Sequence, residues 1–373
     1  MLIEKYFPQG IATDQAFCNR HEERNLLKAS IESHEHVVVV APRRYGKTSL
    51  IAQVLKENTF IGANIDLLFA LTPAEVNKHI YAGISLMLNK LLPKLQSKRQ
   101  KLINTVKNLN PKITFNLFGQ KLEIISRSTA DESITEPLLT LDMFAKKANK
   151  SCVVVFDEFQ QISELKENHT IEAAIRHAVE RSQYVSYVFC GSKRHCLNAM
   201  FSDKSRPLYH LCDLMTIDRI SSQCYAEFLT KAAKNQWQRI LDKLIIEEII
   251  ALTENHPYYV NALCRRLWRQ PTYPSISNVR QAWDEYVKQQ SAWIINDLSN
   301  LTLNRRKVLF ALANQPENEP QGQSFSSKIS LSPSGIQKSL VDLLKLDLIC
   351  RDKQDYYCVL DPAMRYYIAY LLP

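Results

Sequence analysis

An α/β fold is predicted, with a parallel sheet in the N-terminal part of the chain, a helical domain after it and a winged helix-turn-helix at the C-terminal end. Three observations carry this. Residues 37–40 are four consecutive valines, the pattern of a parallel strand buried on both faces, and a loop with glycine and lysine follows at once. Residues 152–156 form a second apolar run, which ends on two adjacent carboxylates, Asp157 and Glu158. From about residue 221 to 293 the apolar spacing is helical, and no further buried strand is expected before the tail.

In chain order, residues 17–34 place Leu26, Leu27 and Ile31 at helical spacing, with acidic residues early, and read as an amphipathic helix. Strand 37–40 follows, then the loop and a helix over 49–57. Residues 63–70 read as a second strand and 73–95 as a long helix. Beyond it, Ile113, Phe115 and Leu117, then Leu122 and Ile124 after Gly119, alternate with polar residues, which predicts a small hairpin projecting from the main sheet. A helix over 133–148 leads into strand 152–156, and a strand over 187–190 continues the alternation of strand and helix. The tail gives a helix (304–313), a polar loop (315–324), a short helix, a turn at 332–335, a helix over 336–346 and two short strands, 348–351 and 356–360. Three helices and a ribbon in that order describe a winged helix-turn-helix.

Composition excludes several classes. A chain of 373 residues calls for two or three domains. With 46% hydrophobic residues, 8 glycines and 15 prolines it is folded and helix-rich rather than disordered. The nine cysteines are odd in number, scattered and never spaced C-x-x-C, which predicts free thiols in a reducing compartment and hence a cytoplasmic protein. His195-Cys196 and His210/Cys212 are two soft-ligand pairs without a second pair nearby, so ordinary buried or surface residues are the leading reading over a metal site. The N-terminal segment has no signal-peptide core, and no stretch approaches the ~20 apolar residues of a spanning helix.

The net charge of +9 has a location: residues 78–127 hold ten basic residues against a single acidic one, Glu123. Such a segment could meet nucleic acid, an acidic protein face or anionic lipid, or could be a solvated helix surface.

The chemistry-bearing residues fall into two motifs. Ala41-Pro42-Arg43-Arg44-Tyr45-Gly46-Lys47-Thr48 fits the phosphate loop G-x-x-x-x-G-K-[ST] except that its first position is Ala. A strand before it and a helix after it would present backbone N–H groups and a positive helix end to phosphates. Lys47 would reach the β- and γ-phosphates, the Thr48 hydroxyl would ligate Mg²⁺, and Ser49 completes the expected binding set. The second motif, VVVFDEFQ (153–160), ends a buried strand in two acids, an arrangement that is costly unless a cation or a reaction uses them. Asp157 suits the Mg²⁺ shell, and Glu158 suits a general base that orients water.

With FCNRHEE near the start, APRRYGKTSL, VVVFDEFQ, VFCGSKRH with SRPLY, NHPYYVNALCRRLW and the winged-helix-like end, the chain resembles bacterial members of the archaeal-type ATPase family, within the AAA+/STAND-like P-loop ATPases, over nearly its whole length. The resemblance implies an AAA+-like P-loop core at 1–217 with the basic insert at 72–130, a helical lid domain at 218–296 and a winged helix at 297–373. It implies a hydrolase of ATP with Mg²⁺, acting as a switch. Ser192 falls where such ATPases keep a polar sensor of the γ-phosphate; a helix N-cap is the alternative. Asn255-His256-Pro257 resembles the G-x-P element whose proline lies beside the nucleotide, with Asn in place of Gly; a helix start is the alternative for Pro257. Arg206 and Arg194 are candidate arginine fingers or partners of carboxylates. The family tends to carry Gly-Arg after Leu-Tyr, where this chain has His210-Leu211, which implies slow turnover or a partner's arginine.

An ATP-gated DNA-binding regulator using the winged helix is the alternative function. Residues 300–373 carry nine Lys/Arg and seven Asp/Glu, a weak charge for meeting DNA, so the basic insert at 78–127 is the better electrostatic candidate. A nucleic acid, an acidic protein and further copies of the chain are the partner classes left open.

Overall fold

The computed structural model describes residues 2–92, 104, 113–118, 121–126 and 134–372. Most of the basic stretch at 78–127 beyond residue 92 lies outside the described residues, apart from its hairpin strands.

The main sheet contains β1 (Val37–Val40), β2 (Ile61–Asp66), β5 (Cys152–Asp157), β6 (Val185–Gly191) and β7 (Asp213–Thr216), in the order β2-β5-β6-β1-β7. Every pairing in it is parallel. The three inner strands are apolar and buried almost throughout, because helices cover both faces of a parallel sheet. The two edge strands are different: β2 alternates, and β7 buries only Met215. That is why the sequence pattern misses β7, whose Asp213, Leu214 and Thr216 are exposed. The hairpin β3 (Ile113–Phe118) with β4 (Lys121–Ser126) is present as a separate antiparallel sheet.

The chain divides into two compact units, one made of residues 20–43 and 47–218, the other of residues 1–19, 44–46 and 219–373. Each has its own apolar core.

In the unit containing the main sheet, Phe156 and Phe189 face each other across β5 and β6 with rings 5.4 Å apart, and Phe159 packs on Phe189 at 4.7 Å. Helix Pro73–Leu91 starts on a capping box between Thr72 and Glu75 and buries Val76, Ile80, Ile84 and Met87. Asp142, buried on helix Thr135–Ala148, accepts the backbone N–H groups of Gln183, Tyr184 and Val185 at 2.9, 2.7 and 3.1 Å, which fixes the entry to β6. Arg20, in the FCNRHEE segment, donates to the Asp218 carbonyl at 2.8 Å and so ties the first residue of this unit to its last.

The other unit is helical, through Ser222–Trp237, Lys243–Thr253, Pro257–Leu267 and the 24-residue Ile276–Ser299. The N-terminal residues belong to it: Phe7 lies edge-on to Trp268 at 4.8 Å, and Arg265 donates to the Phe7 carbonyl at 2.7 Å. Helices Leu303–Asn314, Gln323–Ile329 and Pro333–Lys345 and the ribbon of β8 (Ile349–Arg351) with β9 (Tyr357–Val359) make the winged helix. One expectation is corrected here: 333–335 is not a separate turn but the first turn of the third helix, with Ser332 accepting from the Gly335 N–H at 3.2 Å and Pro333 in the position where its missing N–H costs nothing.

Candidate nucleotide-binding site

The strand order sets the site. The register aligns Asp157 of β5 with Asp66 of β2, and Gly191 of β6 with Val40 of β1, so the loop after β1 and the acids after β5 share one end of the sheet. Open α/β sheets hold ligands in the crevice at the carboxyl ends of their strands.

In the phosphate loop, Gly46 adopts φ +88°, a conformation that disfavours any side chain, whereas Ala41 has no positive φ and is fully buried. The Ala at the first position therefore meets no backbone demand that only glycine satisfies. Lys47, 8% exposed, begins helix Lys47–Glu57 and folds its ammonium back onto the carbonyls of Ala41 at 2.9 Å and Pro42 at 3.1 Å. The loop is thus wrapped around its own cation.

Thr48 Oγ1 lies 3.5 Å from Asp157 Oδ2. The other oxygen, Oδ1, accepts the Glu158 N–H at 3.0 Å and the Cys190 thiol at 3.3 Å. Burial first, and then the Asp157 charge, push the Cys190 thiol well above its ordinary range, so it stays a donor. Glu158 is left-handed, at φ 51° and ψ 37°, where the strand breaks into the 3₁₀ helix Phe159–Glu164. Its Oε2 accepts Ser192 Oγ at 2.7 Å, Ser192 N at 3.3 Å and Gln160 Nε2 at 2.6 Å.

Thr48, Asp157, Glu158 and Ser192 are therefore linked by hydrogen bonds, and Lys47 precedes Thr48 in the same unit. Ser192 is not an N-cap: Lys193 holds that position on helix Arg194–Ser202. Arg206 is engaged elsewhere, gripping Glu172 with Nε at 3.1 Å and with Nη2 on the second oxygen. Burial raises the pKa of Glu172 and the guanidinium opposes that shift. Gln160 and Cys190 escape sequence reasoning; only the place of Gln160 inside VVVFDEFQ could have signalled it.

Pro257 belongs to the other unit and opens helix Pro257–Leu267, with His256 at the N-cap. Loop residues 44–46 group with this unit. Arg44 stacks over the Tyr258 ring at 4.2 Å, and Tyr45 packs edge-on to His256 at 4.7 Å. Arg219 joins them, donating to the Tyr45 hydroxyl at 3.2 Å, to the Glu254 carboxylate at 2.7 Å and to the Leu360 carbonyl at 2.8 Å. Burial, with the charges of Arg219 and Arg44, lowers the pKa of His256 to about 3. No described helix is long and apolar enough to cross a membrane.

A parallel sheet with a lysine-containing loop after one strand and paired acids after another defines a P-loop ATPase fold. The model of an ATPase domain predominantly from Archaea matches residues 17–263, and this chain belongs to that family. A model of a winged helix domain matches residues 295–370. Among solved structures, the Walker-type ATPase of Pyrococcus abyssi is similar with a TM-score of 0.71 at 18% identity, over 99% of both chains. The ORC2 protein of Aeropyrum pernix, in ADPNP-ADP complexes, gives 0.58 at 13% identity, over 98% of this chain and 95% of that one. The ORC1 protein of Aeropyrum pernix, in complex with DNA, gives 0.50 at 11%, over 98% and 96%. At these identities the likeness is one of fold. No curated protein matches.

Proposed function

We propose that the chain binds ATP with Mg²⁺ at the loop after β1 and hydrolyses it, working as a switch on a protein or nucleic-acid partner. The observation that carries the reading is the Thr48–Asp157 approach of 3.5 Å with Glu158 bonded next to it. A hydroxyl and a carboxylate side by side are the hard oxygen donors that Mg²⁺ takes, so Thr48 and Asp157 fit the ion and would hold it. When bound, Mg²⁺ neutralises charge on the phosphates. The backbone of residues 41–49 cradles the phosphates and Lys47 supplies a positive charge to them. Glu158 orients the attacking water, and Ser192, bonded to it, reports on the γ-phosphate.

Arg206 serves Glu172 in this reading, which leaves Arg194 or a partner to supply the arginine for phosphoryl charge and goes with slow intrinsic turnover. The nine free cysteines support a reducing, cytoplasmic setting. The nucleotide complexes of the ORC2 structure support the choice of ligand.

A second reading, an ATP-gated DNA-binding regulator, draws on the DNA complex of the ORC1 structure. Against it, Asp342 sits in the candidate recognition helix and is paired with Arg305 at 2.5 Å, which removes a cation from any DNA-facing surface. The test is ATP turnover and ATP binding by the wild type and by Glu158→Gln, with and without DNA. Binding retained and turnover lost in the variant is the expected result. A wild type that binds no nucleotide overturns the reading, and stimulation by DNA moves the second reading ahead.

A further inference from the structure

The sequence motif ends on a residue that the reading above leaves without a role. Gln160 is 1% exposed, and its Oε1 has no hydrogen-bond partner although it is buried. Burying an amide oxygen unpaired is costly, so something else must hold the side chain there. Its Nε2 donates to Glu158 Oε2 at 2.6 Å. The reversed amide would set oxygen against carboxylate, so the donor must face Glu158.

Space for that amide is made by Gly191. A Cβ there would lie 1.8 Å from Gln160 Oε1 and 2.9 Å from its Cδ, so any larger residue at 191 would displace the amide. Gly191 needs no positive φ, so the glycine answers to the glutamine and not to a turn.

The remaining donors on Glu158 differ in kind. Ser192 has a single hydroxyl proton, now spent on Glu158, and a phosphate oxygen would compete for it. The Gln160 amide lies two residues from Glu158, in the 3₁₀ turn that starts where Glu158 is left-handed, and no phosphate contact is asked of it.

We propose that Gln160 is a positioning residue: its buried amide pins Oε2 of Glu158, in the space Gly191 leaves, so that Oε1 stays available to the attacking water. This rests on the reading of Glu158 as the base. A base held in one orientation gains rate by pre-organisation, and losing that orientation lowers kcat without weakening binding.

The experiment compares Gln160→Ala, Gly191→Ala and the double variant for kcat, KM and direct ATP binding. Each single change is expected to lower kcat about tenfold to a hundredfold with ATP affinity within about twofold. The double variant is expected to be no worse than either single, because Gly191→Ala acts only by displacing an amide that Gln160→Ala has already removed. Additive losses, an unchanged or raised kcat, or a loss confined to KM would overturn the assignment. A second readout needs no turnover: the Gln160 side-chain amide protons, seen by NMR in glutamine-labelled protein, are expected downfield and to move in Glu158→Ala. Resonances that ignore Glu158→Ala would refute the contact. If turnover is lost in Glu158→Gln but intact in Gln160→Ala, this proposal fails alone; if Glu158→Gln turns ATP over as fast as the wild type, the base assignment fails with it.

Discussion

Arg206 lays its guanidinium across both carboxylate oxygens of Glu172, a side chain with no exposed surface. Removing one partner of such a pair leaves a buried charge unmet, which costs about 3–5 kcal/mol. Arg206→Ala is therefore expected to lower stability by that order in urea unfolding, whereas Arg206→Met with Glu172→Met together recovers most of it. Nucleotide affinity of the folded fraction stays unchanged.

Lys47 is buried and already bonded to the loop, so its charge is in place before any ligand arrives. Lys47→Met is expected to weaken ATP binding about tenfold to a hundredfold, the worth of a charge-assisted bond to phosphate, as read by calorimetry. Unaltered affinity would remove Lys47 from the site.

His256 titrates near 3 in the folded chain, against about 6.5 when unfolded. Between those values the unfolded state binds a proton that the folded state refuses, so this residue erodes stability as pH falls below about 6.5. Between pH 7.5 and 5 the loss is ~2 kcal/mol. His256→Phe is expected to flatten that part of the profile, measured as unfolding midpoint against pH; a profile as steep as the wild type's would contradict the assignment.

Cys350 and Cys358 face each other across the ribbon with sulfurs 3.2 Å apart. Two thiols so placed are expected to join when a peroxide accepts their two electrons and two protons and leaves as water. A titration should then count two fewer of the nine free thiols, and Cys350→Ser should abolish that loss. Oxidation that spares both residues would show the pair too rigid to close.

Much of the site was legible because its parts are local. The valine run of β1, the loop after it and the acids ending β5 each follow from adjacent residues, since a buried parallel strand and a phosphate loop are short-range patterns. What escaped is long-range. The strand β7 exposes all but Met215 at a sheet edge and carries no apolar signature. The destination of the Arg206 guanidinium depends on a partner 34 residues away, the buried Glu172, which nothing adjacent to Arg206 in the chain announces. The grip of Gln160 on Glu158 depends on the left-handed backbone at Glu158 and the missing side chain at Gly191, which are tertiary facts. The helix start at Pro333 reads equally as a turn, because the same residues serve both.

Phe7 and Trp268 lie in one core, yet residues 20–218, apart from the three loop residues 44–46, build the other unit between them. A ribosome adding ~5–20 residues per second reaches Trp268 roughly 13–50 s after Phe7. Throughout that interval the start of the chain must wait, while the sheet unit can collapse as an insertion within an unfinished host. The order of folding thus runs against the order of the sequence, and a chain truncated before residue 268 leaves its first residues without the tryptophan they pack against.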